Sequence, residues 1–344
     1  MIEIYKNTKI FVACPANVST GGPELLHQLA YHLRKDLSID AYMYYYNFDE
    51  NKFKNPVHRE YEKYDNPFVT KLNELEDNKK NIIIVPEIQE GINLLQHFKN
   101  IRKGVWFLSV DNYYLSKVYE KILFLDFNKL DLLSNKIEKL AIKFPYEKDL
   151  LLKLPDFYLF QSHYAIDHFK NLEHKYYLSD YLNKDFLKIE TDLSNKEDIV
   201  AFNPKKGFSF TKKIISSAKD IKFVPLINMS RDEVIKTLQK AKVYIDFGNH
   251  PGKDRLPREA AILGCCIITG KRGSAAFFED VSIPDEYKFE DREENIPKIV
   301  DKIKECFENY EERYKDFEHY REVIKNEPQR FVEDLKKIFV KVEK

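Results

Sequence analysis

Asn249-His250-Pro251-Gly252-Lys253-Asp254-Arg255-Leu256-Pro257-Arg258-Glu259-Ala260-Ala261 lies between two apolar runs, Val243–Phe247 and Cys265–Thr269. Both runs have the length and continuous apolar character of strands buried on two faces, a property of parallel sheets covered by helices. The stretch between them passes from a polar loop holding Gly252, Lys253, Asp254 and Arg255 into a helix expected over Arg258–Leu263. In an open α/β sheet, ligands sit outside the carboxyl ends of the strands, and a helix N-terminus offers unpaired backbone N–H groups to an anion. A phosphate or diphosphate is therefore the guest this loop suits. The competing reading is a solvated turn with a charged first helical turn after it.

The same alternation extends in both directions. In the second half it gives strand Ile199–Phe202, helix Phe208–Ser217, strand Lys222–Pro225 and helix Arg231–Lys240, leading into the strand Val243–Phe247. In the first half it gives strand Lys9–Cys14, helix Pro23–Lys35 and strands Ala41–Asn47, Asn81–Val85, Val105–Val110, Ile122–Leu125 and Asp156–Gln161. Ser162 is placed to cap a helix Ser162–Lys170. Strands alternating with helices over short connections demand parallel sheets covered on both faces. The fold class expected is α/β, with two facing Rossmann-like, doubly wound parallel-sheet domains followed by C-terminal helices. The boundaries expected are residues 1–183 for the first domain, 184–198 for a linker, 199–310 for the second domain and 311–344 for the C-terminal helices.

A chain of 344 residues is long enough for two hydrophobic cores, and 43% hydrophobic residues can fill them. Lys+Arg 56 balance Asp+Glu 56, so no global field draws the chain to nucleic acid. The four cysteines, Cys14, Cys265, Cys266 and Cys306, lack metal-ligand spacing and mostly sit in apolar runs. A reduced, cytoplasmic protein is expected. No apolar run approaches the roughly 18 residues of a membrane span, so contact with a membrane is expected to be at most peripheral, at its inner face.

These residues resemble the GT-B class of glycosyltransferases, which move sugars from nucleotide-sugar donors, as in bacterial surface-glycan synthesis. In the first domain the resemblance rests on Ser19-Thr20-Gly21-Gly22-Pro23-Glu24-Leu25-Leu26-His27-Gln28-Leu29. In the second it rests on Pro257-Arg258-Glu259-Ala260-Ala261-Ile262-Leu263-Gly264-Cys265 and on Thr269-Gly270-Lys271-Arg272-Gly273-Ser274-Ala275-Ala276. The resemblance implies that the second domain binds the donor and the first the acceptor. In the large retaining family the glutamate matching Glu259 is paired with another eight positions earlier. Here that position is Pro251, so neither a retaining nor an inverting outcome is implied.

Donor-binding candidates follow from chemistry. Gly21 and Gly22 would form a tight turn bringing backbone N–H groups to a phosphate or sugar. Asn203, Lys205 and Lys206 follow the strand Ile199–Phe202, with Lys205 the preferred contact to a diphosphate. Lys253 and Arg255 are candidate clamps, and His250, Gly252 and Asp254 share their loop. Glu259 can accept the two hydroxyls of a ribose, with Arg258 either its ion-pair partner or a further clamp. Gly273, Ser274 and Ala275 would offer backbone donors. For catalysis, Asp111, expected to end the Val105–Val110 strand, is the first candidate base, against a helix-capping role, and Glu87 is the second. His27 and His250 look isolated and no cluster of carboxylates has metal spacing, so a metal-free reaction without a cofactor is expected, the nucleotide-sugar being a co-substrate. The alternatives to transfer are a nucleotide-sugar epimerase or hydrolase of the same architecture and a non-catalytic sugar-nucleotide or glycan-binding module.

Overall fold

The computed structural model describes residues 1–119 and 137–342; the strand expected over Ile122–Leu125 lies outside them. The described residues form two compact units, one of residues 1–119, 137–180 and 329–342, the other of residues 181–328. With strands numbered in chain order, β1 (Ile2–Ile4) pairs in parallel with the last strand, β14 (Phe339–Lys341), Ile2 lying opposite Phe339.

Also in the first unit are β2 (Lys9–Pro15), β3 (Asp40–Tyr46), β4 (Phe68–Val69), β5 (Ile82–Pro86), β6 (Arg102–Phe107), β7 (Phe157–Phe160) and β8 (Lys175–Tyr177), parallel throughout and ordered β4-β3-β2-β5-β6-β7-β8. This is the doubly wound order whose direction reverses between β2 and β5. β5 is buried along its whole length, as its run of branched side chains requires. The helix Gly21–Lys35 buries Leu25, Leu26, Leu29, Ala30 and Leu33 on one face. Glu24 in its first turn and Arg34 and Lys35 in its last oppose the helix dipole. Ser162 caps the helix His163–His168 by accepting the Ala165 N–H.

The second unit contains β9 (Glu197–Phe202), β10 (Lys222–Pro225), β11 (Ala241–Asp246), β12 (Cys266–Gly270) and β13 (Lys288–Phe289), all parallel and ordered β10-β9-β11-β12-β13. This sheet reverses direction between β9 and β11. The helices Phe208–Ser217 and Arg231–Lys240 and the strand β10 fall at the bounds expected from periodicity.

Two expected element bounds need correction. The strand expected over Val105–Val110 ends at Phe107, and Val110 opens a helix, Val110–Tyr119. The helix expected from Arg258 starts at Arg255, because the extended Asp254 takes the N-cap position. The C-terminal region forms helices Ile296–Glu308, Tyr310–Lys315 and Glu318–Ile338 and then returns to strand in β14. The boundary between the units falls at Pro328, inside the last helix. All four cysteines are buried and none is in a disulfide. Among the described residues, no helix is long and apolar enough to cross a membrane.

Candidate functional site

At a reversal point of a doubly wound sheet, the loops leaving two neighbouring strands diverge to opposite faces and leave a crevice. In the second unit those loops follow β9 and β11. They carry Asn203-Pro204-Lys205-Lys206-Gly207 and Phe247 through Asp254, so the cationic loop singled out in the sequence sits where this fold binds ligands. The two loops touch backbone to backbone. Gly207 has φ of 61° and a Cβ there would meet the Phe247 carbonyl oxygen at 2.2 Å, while a Cβ on Gly248 would meet the Lys206 Cβ at 2.4 Å. Only glycine fits at either position.

A chain of polar contacts ties the loops together. Asp246 at the end of β11 accepts the Tyr244 hydroxyl at 3.0 Å and the Gly248 N–H at 3.0 Å. The imidazole of His250, completely buried, stands 3.6 Å from an Asp246 oxygen and 3.4 Å from an Asp254 oxygen. Neither ring nitrogen makes a hydrogen bond among the described residues. Asp254 in turn accepts the Lys206 ammonium at 2.8 Å. The expectation that His250 is isolated is therefore corrected. Asp246, His250 and Asp254 bring three potential ligand atoms within 4.8 Å of one another, with the Lys206 ammonium already on one of the two carboxylates.

Two of the expected clamps are committed elsewhere. Lys253, buried, places Nζ 2.7 Å from Glu327 Oε1, within ion-pair range though not aligned as a hydrogen bond. Arg258, with no exposed surface, donates to Glu327 Oε2 at 2.8 Å and to the carbonyls of Lys253 at 2.9 Å and Asp254 at 3.2 Å. Arg258 is therefore a brace for the loop and pairs with Glu327, not with Glu259. Buried charges persist only when paired, and Glu327, in the helix Glu318–Ile338, supplies the partner for both. Nothing in the local sequence of the loop points to it.

Glu259 lies in the helix Arg255–Ile262, more than a turn from its start, with 7% of its surface exposed. Its cation neighbour is Arg231, at 3.6 Å, whose guanidinium also lies over the Phe186 ring at 5.3 Å. The expected backbone donors at Ser274 and Ala275 are occupied: Ser274 N–H bonds the His250 carbonyl at 2.8 Å, and Ala275 N–H bonds that of Arg272 at 3.2 Å. Ser274 Oγ donates to the Gly252 carbonyl at 2.6 Å. Gly273, with φ of 55°, passes so close to His250 that a Cβ would lie 2.0 Å from its carbonyl oxygen. This turn therefore buttresses the loop after β11. Asn203 accepts the Lys205 N–H at 3.0 Å, leaving the Lys205 side chain exposed, and Arg255 opens the helix half-buried.

In the first unit, the reversal point lies beside Gly21-Gly22 after β2 and Glu87 after β5. Gly21 and Gly22 are the first residues of the helix Gly21–Lys35, not a separate turn, and neither has positive φ. A Cβ on Gly22 would make ordinary contact with Leu108 Cδ1 at 3.5 Å. The Glu87 carboxylate is buried and accepts the Leu108 N–H at 3.1 Å. Burial raises its pKa to about 7, with the N–H groups of Leu108, Glu87 and Ser109 acting against that rise. Asp111 is buried within the first turn of the helix Val110–Tyr119. The capping role weighed for it belongs to Ser109, whose Oγ accepts the Asn112 N–H at 3.1 Å. His27 bonds the Pro23 carbonyl at 2.7 Å and the Tyr45 hydroxyl at 2.6 Å, and burial lowers its pKa to about 4. It is a core histidine.

No family model matches the sequence, and no curated protein matches it. Solved structures do. TarM is 14% identical and is matched over 78% of this chain with a TM-score of 0.51, this chain spanning 57% of TarM. HepE from Anabaena, solved in complex with UDP-glucose, is 11% identical over 96% of this chain and 99% of its own, with a TM-score of 0.56. Sucrose-phosphate synthase from Thermosynechococcus elongatus is 11% identical over 96% of both chains, with a TM-score of 0.56. The likeness shows the GT-B fold, with its two Rossmann-like parallel sheets and C-terminal helices.

Proposed function

We propose that this chain is a glycosyltransferase that moves a sugar from a nucleotide-diphosphate-sugar to a glycan or lipid-linked acceptor. The observation that carries the reading is the meeting of two cation-bearing loops at the reversal point of the second sheet, fixed there by Gly207, Gly248 and the Lys206–Asp254 ion pair. Solved structures of the same fold hold UDP and UDP-glucose.

In this reading Lys205, Lys206 and Arg255 face the diphosphate, and the loop backbone around Gly252 shapes the site. Lys253 and Arg258 hold that loop from behind through Glu327. Glu259 accepts the ribose hydroxyls, and Arg231 fixes its carboxylate. In the first unit, Asp111 takes the proton of the acceptor hydroxyl. As that oxygen bonds to the anomeric carbon, the carbon–oxygen bond to the diphosphate breaks and its electron pair leaves with the nucleoside diphosphate. The cations stabilise the charge gained there, which leaves no step requiring a metal ion.

Glu259→Ala tests the donor site. Loss of two hydrogen bonds to a charged acceptor should weaken UDP binding by about 2–4 kcal/mol while the melting temperature stays close to that of the parent. Unchanged UDP affinity in calorimetry would remove Glu259 from the site and the reading with it.

A further inference from the structure

The first unit carries a cavity of about 330 Å³ lined by Gln89, Lys117, Lys143, Phe144, Lys148 and Asp149, among others. That volume falls in the range of small-ligand pockets. Among the described residues its lining holds three cations against one carboxylate, and the carboxylate is already engaged. Asp149 accepts the Tyr113 hydroxyl at 2.8 Å, the Leu151 N–H at 3.1 Å and the Lys117 ammonium. Lys117 is held in place by that ion pair, by Gln89 Oε1 at 3.1 Å and by the Tyr113 ring at 4.6 Å. Among the described residues, no carboxylate lies within ion-pair distance of Lys143 or Lys148, both exposed. Among the described residues, the cavity therefore carries positive charge at Lys143 and Lys148 that no carboxylate neutralises.

Its place in the fold ties it to the acceptor side. Gln89 begins the helix Gln89–Leu94 that leaves the carboxyl end of β5, directly after Glu87 and Ile88. Lys117 belongs to the same helix as Asp111, six residues further on, or about 9 Å along the axis. The cavity therefore shares one helix with Asp111 and the carboxyl end of one strand with Glu87. We propose that this cavity binds an anionic group of the acceptor, a phosphate or a carboxylate carried on a sugar, so that the substrate class is a charged glycan or glycolipid. The proposal rests on the transferase reading and deepens it. Lys143 and Lys148 supply the attraction, Lys117 a fixed cation at the wall, and Phe144 an apolar surface for a sugar face.

The test uses the full chain saturated with UDP, so that anion binding at the loops of the second unit is blocked. Glucose 6-phosphate, glucuronate and glucose are titrated separately, against the parent and against a Lys143→Ala/Lys148→Ala double variant. The expected result is saturable binding of glucose 6-phosphate or glucuronate, weakened about tenfold or more in the double variant, with UDP affinity unchanged and glucose bound far more weakly. The stronger of the two anions identifies a phosphorylated or a carboxylated acceptor. Absence of saturable binding for both anions, equal binding of glucose, or full affinity in the double variant would each overturn the proposal. Since UDP affinity is measured in the same samples, failure of the nucleotide reading shows separately as a protein that does not take up UDP.

Discussion

Replacing Glu327 by glutamine keeps the shape of the side chain and one acceptor oxygen but removes the negative charge facing Lys253 and Arg258. All three side chains are at most 5% exposed. Removing one partner of a buried ion pair costs about 3–5 kcal/mol, because the remaining charge stays out of water without compensation. The amide oxygen can still accept from Arg258, and Arg258 keeps its bonds to the Lys253 and Asp254 carbonyls, so the low end, about 3 kcal/mol, is expected. For a unit of this size that corresponds to a fall in melting temperature of roughly 6–12 °C. Thermal unfolding followed by circular dichroism, with urea midpoints alongside, measures it. Surface pairs weaken with salt and buried ones hardly do, so the loss should be similar at low and high sodium chloride. A loss below about 1 kcal/mol, or one that disappears in high salt, would refute the view that Glu327 neutralises two buried cations.

Glu87 should make the first unit pH-sensitive. Its folded pKa of about 7 exceeds the ordinary 4.5, so between those values the folded state holds a proton that the unfolded chain has released. Stability should fall as pH rises through that window, by up to roughly 3 kcal/mol; Glu87→Gln should flatten the profile, and a variant with the parental slope would show the carboxyl is not its source. Asp111→Asn should lower turnover about 100-fold or more while melting temperature and UDP affinity hold, since Ser109 caps the helix; near-normal turnover would make Asp111 structural. Turnover should persist in excess EDTA; its loss, reversed by manganese or magnesium, would refute the metal-free reading and make Asp246, His250 and Asp254 the first ligands to substitute.

Much of the architecture was legible because it is written locally. Phe208–Ser217 and Arg231–Lys240 carry their burial pattern within themselves, and β5 announces its two covered faces through Ile82–Val85. Strands of two or three residues, such as β4, β13 and β14, have too few positions to show a period. The location of the cationic loop was also legible, but the duties of its residues were not. Lys253, Arg255 and Arg258 look alike in sequence, and what separates them is a glutamate 69 positions from Arg258. Likewise Ser274 and Ala275 look like open backbone until the His250 carbonyl is seen to occupy one of their N–H groups. The spacing of Asp246, His250 and Asp254, four residues apart each time, was the one available clue to their association.

The pairing of β1 with β14 also bears on the order in which the protein can assemble during synthesis. Ile2–Ile4 leave the ribosome 337 residues ahead of their partners Phe339–Lys341. At about 5–20 residues per second the wait is on the order of 15–70 s. Among the described residues, the five strands of the second unit lie within residues 181–328 and pair only with one another. The usual precedence of the amino-terminal domain is thus reversed at the finish: the later-made unit can close its sheet while the earlier-made one still waits for its last strand.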